Sequence, residues 1–177
     1  SLLISRRETL AVAESCTGGL VGNWLTNAAG SSNFFLLSAV TYANEAKIAV
    51  LGVSQQTLET HGAVHETTAE EMAAGARRVA GADWGLSVTG IAGPDGGTED
   101  KPVGTVFIAL DGPYDERAER FLFPGNREQV RMRTACTALD WLRRQAELLL
   151  TEEEREQIES LGGFEELRKA LQERIDE

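Results

Sequence analysis

Apolar positions along this chain follow two rhythms. Short runs rich in Val, Ile, Leu and Phe mark strands, and between them apolar residues recur on one side of a 3.6-residue period. Thr9–Ala13 is an apolar run entering a glycine-containing turn, and Leu20–Ala29 reads as a helix ending near Gly30. Phe34–Tyr42 is apolar and partly β-branched, the pattern of a buried strand. Asn44–Leu51 predicts a helix stopped by Gly52. Thr68, with Glu71 three positions on, is a capping-box signal for a helix with Met72, Ala76 and Val79 on one face and its end near Gly81. Trp84–Val88 and Thr105–Leu110 predict two further strands across a long glycine loop, and Arg120–Phe123 a weaker one. Asn126 stands where it can cap a long helix carrying Ala135, Ala138, Leu139, Leu142, Ala146 and Leu149. Helices interleaved with strands imply an α/β domain, three layers α/β/α with helices on both faces of a mixed sheet.

Beyond residue 150 the pattern changes. Residues 151–177 carry ten acidic and four basic side chains, and Ile158, Leu161, Phe164, Leu167, Leu171 and Ile175 recur at helical spacing around Gly162-Gly163. The expected division is a domain over residues 1–150 and an acidic helical tail over 151–177, either a hairpin packed on the body or another subunit, or a regulatory or partner-binding segment. With 177 residues, 42% of them hydrophobic and 25% charged, the chain can build one core without disulfide staples. Its formal charge of −11 argues against direct binding of nucleic acid, which rests on neutralised phosphate. Two cysteines without a CxxC pair, and no signal-like start, point to a reducing, cytoplasmic setting. No apolar run approaches the ~18 residues of a membrane span.

Three segments carry candidate chemistry. Ala13-Glu14-Ser15-Cys16-Thr17-Gly18-Gly19 makes a strand-to-helix turn with three possible nucleophiles, Ser15, Cys16 and Thr17. Gly18 and Gly19 allow a close backbone approach, and the helix N-terminus that follows favours an anion or oxyanion. Thr41-Tyr42-Ala43-Asn44-Glu45-Ala46-Lys47 runs from a strand into a helix. Its spacing is not the Tyr-x-x-x-Lys of short-chain dehydrogenases and no GxGxxG precedes it, so hydride transfer is a poor reading. Taken alone, Lys47 reads as an exposed helix lysine. The loop Gly90–Gly104 holds five glycines and two prolines, more than a passive connection needs, yet lacks the P-loop pattern. Asp95, Glu99 and Asp100 lack calcium-loop spacing, and His61 and His65, four apart with Gly62 between them, read as loop residues and not as a zinc pair. Arg127 falls in the first turn of the long helix, where the dipole disfavours a cation. It either helps bind an anion or pairs with a surface carboxylate.

Taken in this order, the segments resemble the C-terminal domain of the CinA family, the nicotinamide-nucleotide amidohydrolase (nicotinamide mononucleotide deamidase) domain. AESCTGG (13–19), AGSS (29–32), VTYANEAK (40–47), HGAV (61–64), VTGIAGPDGG (88–97), KPVGTV (101–106) and PGNREQVR (124–131) carry the resemblance, which covers about residues 5–149. It implies hydrolysis of the carboxamide of nicotinamide mononucleotide to nicotinic acid mononucleotide and ammonia, with no metal or other cofactor. The implied catalytic pair is Ser15 and Lys47, assisted by Tyr42, Thr89 and Arg127, with Arg131 close by as the alternative arginine. Substrate contacts are expected from Cys16, Thr17, Gly18, Gly19, Gly90, Gly93 and Arg127. The resemblance also implies a homo-oligomer. Longer members carry a preceding domain similar to molybdopterin-binding proteins, and the chain begins at Ser1 just before its first strand. The competing expectation is a nucleotide-binding or interaction module of a competence or DNA-damage response that keeps the pocket without turnover.

Amide hydrolysis by an acyl-enzyme needs a nucleophile, a base and an oxyanion site. The two histidines lie together outside the turn, which leaves lysine as the base. Its ammonium must then sit well below the ordinary lysine value of about 10.4. Glu14 or Glu45, if close, would oppose this, so burial or a neighbouring cation is required. Lys47 is therefore expected to be desolvated, with Tyr42 near it or near Ser15. Oxyanion donors are expected among the amides of Cys16–Gly19, with Thr89, and the phosphate at Arg127 or Gly90–Gly97. Cys16 remains the rival nucleophile.

Overall fold

The computed structural model describes residues 2–113 and 116–148, so the tail expected over 151–177 lies outside the described residues. Among the described residues, five strands form one sheet: β1 (Leu10–Glu14), β2 (Phe35–Val40), β3 (Trp84–Gly90), β4 (Thr105–Asp111) and β5 (Glu116–Leu122). Six α-helices accompany them: α1 (Leu2–Arg6), α2 (Leu20–Thr26), α3 (Asn44–Leu51), α4 (Gln55–His61), α5 (Glu66–Ala80) and α6 (Arg127–Leu148). The strand order is β2-β1-β3-β4-β5. β2, β1 and β3 run parallel, and β4 and β5 continue antiparallel, giving the expected mixed sheet.

Strand alternation divides the core. Leu10 and Val12 of β1, Leu86 and Val88 of β3, and Val106 and Ile108 of β4 face one side, where α1, α2 and α6 cover them. The intervening residues are mostly small, including Ala11, Ala13, Gly85, Ser87 and Ala109 with Phe107 the large exception, and they face α3, α4 and α5. Small residues let α5 lie close to the sheet. A Cβ on Gly85 would sit 2.1 Å from the Ala73 carbonyl oxygen, so this position has no room for a side chain. Asp83 pins the opening of β1 to β3 by accepting from the Thr9 amide and hydroxyl at 2.8 and 2.7 Å.

Local differences from the sequence pattern have physical causes. β2 is an edge strand, with Leu36 and Val40 each 48% exposed, not a buried one. α2 stops at Thr26, short of Ala29, and β5 begins at Glu116, ahead of Arg120. α1 and α4 have no counterpart in the pattern, because α1 is a five-residue helix and α4 buries only Leu58. α5 starts ahead of Thr68: His65 is its cap, its Nδ1 accepting from the Thr67 amide at 3.2 Å. Thr68 is buried instead, donating to the Gly62 carbonyl, and Glu71 accepts from the Ser54 amide and the Thr57 hydroxyl. The cap of α6 is as expected. Asn126 Oδ1 accepts from the Gln129 amide and Gln129 Oε1 from the Asn126 amide, both at 3.0 Å, a reciprocal capping box.

Gly85→Ala is expected to lower unfolding stability by about 3 kcal/mol, the upper range for overpacking, because backbone lies on the other side of the contact. Urea denaturation should show a lower midpoint with an unchanged slope.

Candidate active site

The three parallel strands end at one edge of the sheet, where α/β folds present ligand sites. The backbone ladder continues past β1 there, with the Ser15 amide donating to Val88 O at 3.0 Å and the Thr41 amide to Glu14 O at 2.9 Å. This brings the ends of β2 and β3, and with them Thr41-Tyr42 and Thr89-Gly90, alongside Ser15. Alternation then separates two adjacent residues of β1's end: Glu14 turns toward α2, and Ser15 toward α3.

α3 supplies Lys47. The side chain has no exposed surface, so it is not a solvated helix lysine. Its Nζ lies 2.7 Å from Thr41 O, 3.3 Å from Tyr42 O and 3.3 Å from Ser15 Oγ. A neutral amine has two hydrogens and one lone pair. Donating to the two carbonyls aims the lone pair at the Ser15 hydroxyl, which is the arrangement of a base and its nucleophile. Burial pushes the Lys47 ammonium below the ordinary lysine range, and the Cys16 thiol acts weakly the other way. Glu45 is exposed, and Glu14 is engaged on the opposite side of the turn.

Glu14 is the buried residue of this turn to which the motif reading gave no part in the site. Its carboxylate is buried and accepts five hydrogen bonds: from Thr17 Oγ1 at 2.6 Å, the amides of Gly19, Val21 and Gly22 at 3.0, 3.1 and 2.8 Å, and Ser38 Oγ at 3.0 Å. The helix N-terminus therefore already holds an anion, supplied by the chain itself. This narrows the expected oxyanion donors. Gly19 N–H goes to Glu14 and Gly18 N–H to Ser15 O at 3.1 Å, which leaves the amides of Cys16 and Thr17 without a carbonyl or carboxylate acceptor among the described residues.

Burial pushes the Cys16 thiol up to about 12, reinforced by Glu14 and opposed by its own backbone amide, Lys47 and Arg127. A shift in this direction favours the protonated thiol and works against its use as a nucleophile. Thr89 is buried one strand over from Ser15, and its hydroxyl donates to Ala63 O at 2.7 Å, bracing the loop between α4 and α5. Gly90 closes β3 against Val106, and Gly93 O accepts from Arg127 Nη1 at 2.8 Å. The second nitrogen of Arg127 donates to the Tyr42 hydroxyl at 3.1 Å, so the exposed arginine ties the β2–α3 turn to the glycine loop. The Tyr42 phenol thus meets Arg127, and it is the Tyr42 carbonyl that meets the amine. Arg127 has no carboxylate partner among the described residues. Arg131 has a different task, donating through Nε and Nη2 to Thr17 O at 3.2 and 2.8 Å.

His61 ends α4 and stacks on His65 with ring centroids 4.2 Å apart, and Lys101 Nζ donates to His61 O. Burial lowers the His65 pKa, with His61 and Lys101 adding to the effect and Glu66 opposing it. Among the described residues no group of three or more His, Cys, Asp or Glu could hold a metal ion, Asp95, Glu99 and Asp100 included. No described helix is long and apolar enough to cross a membrane.

Two measurements test this geometry. Because the folded-state pKa of Lys47 lies below the unfolded 10.5, the unfolded chain binds more protons between the two values. The stability of wild type relative to Lys47→Met should therefore rise with pH through that window and level off above 10.5, read from urea midpoints. Cys16 in the native protein should react with iodoacetamide at pH 8 roughly 100-fold more slowly than in the denatured chain.

The sequence matches the CinA C-terminal domain family over residues 1–146. It is 57% identical over 144 residues to a CinA-like protein of Desulfosudis oleivorans, covering 81% of this chain and 35% of that protein. A CinA-like protein of Geobacter metallireducens is 57% identical over 136 residues, covering 77% of this chain and 33% of that protein. The chain thus spans about a third of the length of these curated relatives. Among solved structures, the competence/damage inducible protein CihA of Agrobacterium tumefaciens superposes with a TM-score of 0.77 at 41% identity, covering 79% of this chain and 86% of that one. The CinA superfamily protein of Escherichia coli gives 0.77 at 38% identity, covering 79% and 81%. With the family match over residues 1–146 and most of its length shared with these proteins, the chain belongs to the CinA family, of which it carries the C-terminal domain.

Proposed function

We propose that this domain hydrolyses the carboxamide of nicotinamide mononucleotide, giving nicotinic acid mononucleotide and ammonia. The observation that carries the reading is the buried Lys47 amine, 3.3 Å from Ser15 Oγ and anchored at 2.7 Å to Thr41 O. Ser15 Oγ attacks the carboxamide carbon while its proton passes to Lys47 Nζ, and the carbonyl electrons move onto oxygen. The amides of Cys16 and Thr17 receive that oxyanion. Collapse of the intermediate expels ammonia, which takes the proton from Lys47, and leaves an ester on Ser15. Water attacks the ester, one of its protons passes through Lys47 back to Ser15 Oγ, and the carboxylic acid so formed gives its remaining proton to solvent and departs as the carboxylate.

The choice of substrate follows the family resemblance, and the exposed cation at the mouth supports it. Arg127 suits the phosphate of the nucleotide, since Arg131 is engaged on Thr17 O and the end of α2 is already occupied by Glu14. Cys16 is disfavoured as the nucleophile by its raised pKa, which keeps it protonated where Ser15 has a base at hand.

Ammonia release from nicotinamide mononucleotide by the purified protein tests the reading. Ser15→Ala is expected to lose at least about 1000-fold in kcat, and Cys16→Ala to retain activity within about threefold. Retained turnover in Ser15→Ala would move the nucleophile to Cys16. Binding of the nucleotide by wild type with no ammonia released would favour the interaction module. Arg127→Ala should raise KM about tenfold or more with a smaller change in kcat, as expected for lost charge-assisted contacts to phosphate.

A further inference from the structure

Glu14 is the one buried carboxylate among the described residues, and the steps above give it no role. Its neighbours show how the turn depends on it. Oε2 accepts from Thr17 Oγ1, Gly19 N and Val21 N, and Oε1 from Gly22 N and Ser38 Oγ. Thr17 is then held at both ends, its hydroxyl by Glu14 and its carbonyl by Arg131 at 2.8 Å. Gly18 N–H closes the turn onto Ser15 O. The space is tight as well: a Cβ on Gly22 would lie 2.7 Å from Ser38 Oγ and 3.4 Å from Glu14 Oε1.

These contacts fix the peptide planes between Ser15 and Gly19, and so the directions of the two amides left over, those of Cys16 and Thr17. Building on the reading of Ser15 as nucleophile, we propose that Glu14 is the positioning residue of the oxyanion site, holding these two amides where negative charge develops without touching substrate itself. Only a carboxylate can do this. A carboxamide of the same shape would turn N–H toward the Gly22 amide, or toward those of Gly19 and Val21, a donor facing a donor that no hydroxyl rotation relieves.

Glu14→Gln and Thr17→Val in the full chain test the role through kinetics with nicotinamide mononucleotide and amide hydrogen exchange. Glu14→Gln should lower kcat about 100-fold, the loss typical of a displaced oxyanion donor. KM should stay within about threefold, and amides of residues 15–22 should exchange at least about tenfold faster while the other segments hold. Thr17→Val should lower kcat about tenfold with the same unchanged KM. A Glu14→Gln enzyme with kcat within about twofold of wild type, or with unaltered exchange across 15–22, overturns the proposal. If Glu14→Gln does not fold, Thr17→Val and Ser38→Ala decide it, and wild-type kcat in both overturns it. If wild type itself releases no ammonia, the proposed activity has failed. Exchange in the variants still reports whether Glu14 orders the turn, and unaltered exchange then overturns its positioning role separately.

Discussion

An amine shut away from water is costly to charge, and the candidate site is organised around that cost. Lys47 sits without exposure at the base of the site, and desolvation favours its neutral form. Two backbone carbonyls fix its hydrogens, so the remaining lone pair has one direction to point. Both carbonyls belong to the segment leaving β2, so the amine's orientation depends on the strand beside the nucleophile and not on another titratable side chain. No histidine is needed to orient it. The chemistry is thereby tied to strand pairing: a slip of β2 against β1 would move both acceptors away from Ser15.

The turn after β1 resolves a conflict between two uses of a helix end. Such an end attracts anions, and in many α/β proteins that anion is the ligand. Here Glu14 occupies it, placed there because alternation sends it to the face opposite Ser15. The result is a turn tied by many hydrogen bonds, with the amides of Cys16 and Thr17 left over, while Arg127 stands as an exposed cation apart from it. In the proposed reading, reacting group and anion fall to separate elements, the β1–α2 turn for one and the start of α6 for the other.

Much of this was readable in the residues. The apolar run Thr9–Ala13 announces β1, and Asn126 announces the start of α6. The family resemblance carried by AESCTGG and TYANEAK points to Ser15 and Lys47, which the fold brings within 3.3 Å of each other. Local pattern misled where tertiary contacts decide. Lys47 in a short helix looks solvated, and only the pairing of β1 with β2 makes it buried. Glu14 looks like one more acid in an acidic chain until α2 folds back onto it. His65, lacking the usual capping side-chain oxygen, begins α5 because its imidazole nitrogen meets the Thr67 amide. β2 is as apolar as a central strand, and its edge position follows from strand order, which no single segment encodes.

The bracing of Arg127 carries a thermodynamic consequence. A long cationic side chain ordinarily loses rotamer freedom when it grips a ligand, and that loss subtracts from affinity. Here the guanidinium is already oriented by the Gly93 carbonyl and the Tyr42 phenol, with three of its five N–H groups still unassigned by these contacts. Folding has ordered it in advance. If the proposed phosphate binds here, it meets a plane of donors fixed in advance, and the conformational-entropy penalty of binding at this arginine is small.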